Sequence, residues 1–164
     1  MYKHLLLSIV LSITVLSAYA TPSWEINSRG GIEWKIEKEQ LPHKDHIEMS
    51  GEQMAFVLRW GIDANGVLDL ERSLVFPLLR TIPNNTHASL MHRFATDVIS
   101  LVSVNGRSLQ NENTRLIEID GMFRSISEFG GGIEVERVIF PSVDKPFMCE
   151  RYVFKNTNKR ASTI

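Results

Sequence analysis

The feature that most constrains this chain is a period-two alternation of apolar and polar residues, cut at short intervals by glycine turns. Met54, Phe56, Leu58, Trp60 and Ile62 fall on one face of an extended run, with Gln53, Ala55, Val57, Arg59 and Gly61 opposite. Asp63-Ala64-Asn65-Gly66 predicts a tight turn, after which Leu68, Leu70, Leu74 and Phe76 line one face of a return strand. Asn105-Gly106 predicts a second hairpin, between 99–104 and 107–109. Asp120-Gly121 separates a strand at 115–119 from one at 122–129. Gly130-Gly131-Gly132 leads into a strand at 133–140, and 141–146 into a last one at 147–154. Strands spaced by roughly 8–12 residues with turns between them build an antiparallel sandwich or barrel. The predicted fold class is all-β.

Alanine is scarce after position 20, and only 86–94 has room for a helical turn or two. Two stretches break the strand pattern, 40–51 and 77–89. The second carries two prolines and the polar run Asn84-Asn85-Thr86-His87, and long irregular loops are often functional.

At the N-terminus, Lys3 and His4 precede an apolar run from Leu5 to Leu16, and small residues then lead to Ala20. This is the layout of a secretory signal peptide over residues 1–20, cut after Ala20. The apolar run is shorter than the ~20 residues of a membrane-crossing helix. The expected address is therefore exported, periplasmic or extracellular, with no membrane span after cleavage. Residues 21–156 are read as one β-sandwich domain and 157–164 as the start of a linker or further strand. With 18 basic and 19 acidic residues, the 164-residue chain lacks the basic excess of a nucleic-acid binder. Cys149 is the single cysteine, so no internal disulfide forms, and its alternation with Phe147 and Arg151 makes it a small strand residue.

The chemistry-bearing residues mostly have plainer readings. His43, Asp45, His46 and Glu48, with His87 or His92, resemble a metal cluster in composition but match no zinc spacing. A polar connection into a strand explains them better, and no metal is expected. Asp63-Ala64-Asn65-Gly66 starts like a calcium loop but lacks the distal glutamate. No G-x-S-x-G elbow is present, and Gly130-Gly131-Gly132 precedes no helix that could cradle phosphate. Glu134, Glu136 and Glu150 are the carboxylates to weigh for glycosidic chemistry, and a solvated outer face with ion pairs to Arg137 or Arg151 is the simpler expectation. Trp60 follows an apolar face, whereas Trp24 and Trp34 lie in a less regular region and are weak candidates for a sugar-stacking platform.

Three segments carry a likeness to a known family: HKDHIEMSG at 43–51, LRTIPNNTHASLMHRF at 79–94 and IEVERVIFPSVDKPFMCERYVFKN at 133–156. Together they resemble the N-terminal super-sandwich domain of exported bacterial six-hairpin glycoside hydrolases, of the kind found in polysaccharide-degrading gut Bacteroidetes. The likeness covers most of residues 24–156. In those enzymes the sandwich precedes an (α/α)6 barrel that carries the acid and the base. The resemblance implies a fragment that ends before that barrel and contributes no catalytic residue and no cofactor site. Its implied partners are the (α/α)6 catalytic domain of the same parent chain and a carbohydrate substrate. Arg80, Asn84, Asn85 and His87 then become candidates for a loop lent to the substrate cleft, with Trp24 and Trp34 as weaker substrate contacts. The alternative is a free-standing carbohydrate-binding or surface adhesion module, which would expose coplanar aromatics on one sheet face. A small enzyme built on His87, His92 and nearby carboxylates is a third option.

Overall fold

The computed structural model describes residues 22–79 and 90–164. Twelve strands follow one another along these residues. They are β1 (Trp24–Ile26), β2 (Ile32–Lys35), β3 (His43–Ser50), β4 (Ala55–Ile62), β5 (Leu68–Phe76) and β6 (Leu90–Phe94). After these come β7 (Ser103–Val104), β8 (Arg107–Ser108), β9 (Asn113–Ile119), β10 (Phe123–Phe129), β11 (Ile133–Pro141) and β12 (Met148–Asn156). A six-stranded sheet has the order β1-β2-β9-β10-β11-β12, a four-stranded sheet the order β3-β4-β5-β6, and β7-β8 forms a separate hairpin. Every pairing is antiparallel. The fold is the all-β, sandwich-like arrangement that the alternation predicts.

The turns explain the register. Asp63 folds its carboxylate over the β4–β5 turn, where Oδ1 accepts from the backbone N–H of Asn65 at 2.8 Å and of Val67 at 2.9 Å. Those bonds hold the Asp63 carboxyl below the usual carboxylate range, the Val67 contact contributing most. Asn105 and Gly106 both have positive φ, 53° and 73°, the twist that a two-residue hairpin requires.

Three expectations change in the structure. Residues 43–50 are a full eight-residue strand, preceded by a 3-10 turn at Lys38–Gln40, rather than an irregular stretch. Their polar letters disguise an edge strand whose outward side chains face water. Residues 90–94 pair with β5 as a strand instead of forming a helical turn, while 86–89 lie outside the described residues. Similarly, the first part of 99–104 is a 3-10 turn, Val98–Leu101, capped by Asp97.

The core lies between the sheets. Met49, Phe56, Leu58, Trp60, Ile62, Leu68 and Leu70 from the four-stranded sheet meet Trp34, Ile117, Phe123 and Ile139 from the other. A second cluster gathers Ile99, Phe129, Ile133 and Val135. A buried polar band separates the two. Along β10 the inward positions read Phe123, Ser125, Ser127, Phe129, and along β11 they read Ile133, Val135, Arg137, Ile139, all buried. Arg72 continues the band on β5 between Leu70 and Leu74.

Candidate functional site

Arg80, Asn84, Asn85 and His87 lie outside the described residues. Their frame is described: Leu90 donates its backbone N–H to the Leu79 carbonyl at 2.9 Å, which pinches the base of the segment. Around that base Leu78, Leu79, Leu90 and Met91 are exposed, an apolar rim at the Phe76 end of β5.

The tryptophan platform does not survive burial. Trp34 is fully buried, and its ring lies 6.0 Å from Trp24 at 50° and 6.2 Å from Trp60 at 45°. Strand β2 sits between β1 and β9, so its inward tryptophan is covered by the opposite sheet. Nε1 of Trp34 donates to Gln40 Oε1 at 2.6 Å, which satisfies the indole without a ligand. Trp24 is half-buried against Trp60 at 6.5 Å, edge-on. The three indoles are therefore core packing, tilted to one another, and offer no coplanar face.

His43 joins that cluster, its ring 5.0 Å from Trp34 and 5.3 Å from Trp60. His46 stands on the exposed side of β3, with Asp45 between the two histidines at 3.9 Å from each. Among the described residues no group of three His, Cys, Asp or Glu side chains converges for a metal. His92 stacks on Phe94 at 5.8 Å.

The carboxylates are committed to cations. Glu134 meets Lys155 at 3.2 Å across the β11–β12 pair, and Glu136 meets both Arg124 and Arg151, at 2.7 and 2.8 Å. These lie on the outer face, as expected. Glu150 does not: it points inward, opposite Ile139, and clamps Arg72 from the other sheet. Arg72 Nε donates to Oε1 at 2.6 Å and Nη2 to Oε2 at 2.9 Å, a bidentate pair bridging the sheets. The hydroxyl of Tyr152 also donates to Glu150. Arg137 likewise faces inward, 2.8 Å from Glu112, so it cannot serve the outer glutamates as expected.

Sequence reasoning missed Glu118 and Glu112. Glu118 is buried on β9 and accepts from Asn27, Arg29 and Arg124, which ties the β1–β2 connection to β10. Glu118 sits opposite Arg124 and Glu33, an outward register that alternation alone could have located. No helix among the described residues is long and apolar enough to cross a membrane.

Tyr152 yields a prediction. Burial first, then the hydrogen bond to Glu150 and that carboxylate's charge, push its phenol well above the ordinary tyrosine value near 10. A raised value stabilises the fold fully below pH ~10, and that contribution is lost as pH rises through the folded value. The other tyrosines, Tyr2 and Tyr19, precede Ala20. Phenolate absorbance of residues 21–164 should therefore appear only together with alkaline unfolding followed by circular dichroism. Phenolate formation near pH 10 in folded protein would contradict the inward hydroxyl.

No protein-family model, curated protein or solved structure matches this chain.

Proposed function

We propose that this chain is the non-catalytic sandwich domain of an exported glycoside hydrolase acting on polysaccharide. In this reading it supports a separate six-hairpin barrel and lends the 80–89 segment to the substrate cleft. The observation that carries the reading is the fate of the carboxylates. Glycosidic hydrolysis needs one carboxyl kept as an acid and a second free to act as base or nucleophile, about 5–9.5 Å apart in a cleft. Glu134, Glu136 and Glu150 are each engaged by lysine or arginine, two on an open sheet face and one inside the sandwich. Carboxylates tied to separate cations, on opposite faces of the sheet, do not form the facing pair across a cleft that the reaction needs.

The exposed rim of Leu78, Leu79, Leu90 and Met91 supports the same reading. Exposed apolar side chains gathered at one end of a domain suit contact with another protein surface. The likeness of 43–51, 79–94 and 133–156 to super-sandwich domains supplies the glycoside hydrolase assignment.

Sugar release tests it. Residues 21–164 should liberate no product from glycans or aryl glycosides, whereas the barrel-containing parent should. In that parent, Arg80→Ala or His87→Ala should lower turnover and leave the fold intact. Hydrolysis by residues 21–164 that disappears in Glu134→Gln, Glu136→Gln or Glu150→Gln would overturn the division of labour.

A further inference from the structure

At the end of the sandwich away from the Leu79–Leu90 rim, the β4–β5 turn, the start of β9 and the end of β10 converge around a cleft of about 870 Å³. Nine residues of β5 run away from this cleft to the rim at Phe76, about 26 Å at strand rise. The cleft's framework is fixed by backbone bonds. Thr114 donates both its N–H and its hydroxyl to the Gly66 carbonyl, each at 2.8 Å, which locks the turn onto β9. Gly130 N–H donates to the Gln110 carbonyl at 2.8 Å, and Asp97 caps the 3-10 turn through the Ile99 N–H at 3.0 Å.

The lining carries amides and carboxylates, Asn65, Asp97, Gln110, Glu112 and Asn113, beside the apolar side chains of Val67 and Leu109. Among the described residues no lysine or arginine lines the cleft. Glu112 is braced from behind, since its buried Oε1 lies 2.8 Å from Arg137 Nη1 while its side chain still borders the opening. Arg137 in turn stacks over Phe129 at 5.8 Å and donates to Ser127 at 3.0 Å. The guanidinium thus fixes the carboxylate and cancels its charge without presenting a cation to the cleft.

We infer that this cleft is a subsite for a neutral glycan. Each sugar hydroxyl both donates and accepts, and side-chain amides do the same, while a fixed carboxylate accepts strongly. The exposed Val67 side chain and the half-buried Leu109 offer apolar surface to the C–H face of a pyranose ring. An acidic sugar meets the Asp97 carboxylate and gains no cation from the lining, and loses. A peptide would need an open strand edge for its main chain, yet β9 and β10 are interior strands with both edges paired, and β8, the one lining strand with an open edge among the described residues, is only two residues long. The inference rests on the proposed role in polysaccharide hydrolysis and adds the class of chain that is held.

Amide resonances of the protein titrated with neutral xylo-, cello- and malto-oligosaccharides, and separately with oligogalacturonate, test it. Neutral oligomers should shift Asn65, Gln110 and Asn113, and oligogalacturonate should not. Gln110→Ala, an exposed position, should weaken binding about five- to tenfold, the loss of one hydrogen bond. Ser108→Ala, at the same rim, should keep the fold and weaken it less. Tighter binding of oligogalacturonate, binding of unstructured peptides at these residues, or no shift with any neutral oligomer would overturn the cleft. Shifts confined to Leu79, Leu90 and Met91 would also overturn it while leaving the proposed function standing. Sugar release by residues 21–164 with neutral binding at the cleft would do the reverse.

Discussion

Arg72→Met should destabilise the sandwich by about 3–5 kcal/mol, a large share of the roughly 5–15 kcal/mol that holds a domain together. Arg72 is 1% exposed, and its partner Glu150 comes from the opposite sheet, 78 residues later in the chain. Removing the guanidinium strands a carboxylate between two sheets, away from water. It also frees the Leu70 and Thr96 carbonyls that Nη1 serves at 3.1 and 3.2 Å. The cation over the Phe94 ring, 5.7 Å away, is lost as well. The cost comes from the orphaned groups rather than from the worth of the pair. Replacing the whole set by apolar residues, Arg72→Met with Glu150→Leu and Tyr152→Phe, should therefore regain most of the loss. Urea unfolding followed by circular dichroism reads both variants. A single Arg72→Met variant within about 0.5 kcal/mol of the parent would show that the charge clamp does not form.

Why this clamp escaped the sequence is instructive. The alternation Leu68, Leu70, Leu74, Phe76 already places position 72 on the inward face, yet an arginine there reads as a break in the pattern. Its partner is fixed only by the stacking of two sheets, a non-local fact that periodicity within one strand does not carry. Glu150 fails for the same reason: alternation assigns it to a face, but which face is inner depends on its register with Ile139. By contrast, β4, the turn at Asp63–Gly66 and the hairpin at Asn105-Gly106 were legible, because their signals are local. Strand β3 was obscured by being an edge, where the outward residues Lys44, His46 and Glu48 need no apolar character. Strands β1 and β2, of three and four residues, are too short to show a period, so Trp34 looked free. As for the site, the carboxylates of the outer face were legible from strand spacing. The end cleft was not, because Asn65, Asp97 and the pair Gln110 and Glu112 come from three connections that only the fold assembles.

Trp34→Ala should cost about 3–5 kcal/mol, comparable to the broken clamp but by a different mechanism. The indole is fully buried and touches Trp24, Trp60 and His43, so its removal opens a cavity at the point where the two sheets meet. The backbone around it has little freedom to collapse, because β2 is paired on both sides, to β1 and to β9. Trp34→Phe separates packing from polarity. It keeps most of the ring contacts but removes the N–H that Gln40 Oε1 accepts at 2.6 Å. Since Gln40 Oε1 also accepts the Glu37 N–H at 3.1 Å, the 3-10 turn retains one of its ties in that variant. The phenylalanine should therefore cost about 1–3 kcal/mol, less than alanine. The protein's three tryptophans, Trp24, Trp34 and Trp60, all belong to this cluster. Intrinsic fluorescence of the folded Trp34→Phe variant should then report Trp24 and Trp60 alone. Binding of a neutral oligosaccharide at the distant end cleft should be unchanged in Trp34→Phe, because the ring contacts no residue there. If Trp34→Ala unfolded at the parent's urea midpoint and abolished sugar binding, the indole would be a ligand platform and the aromatic core would be misassigned.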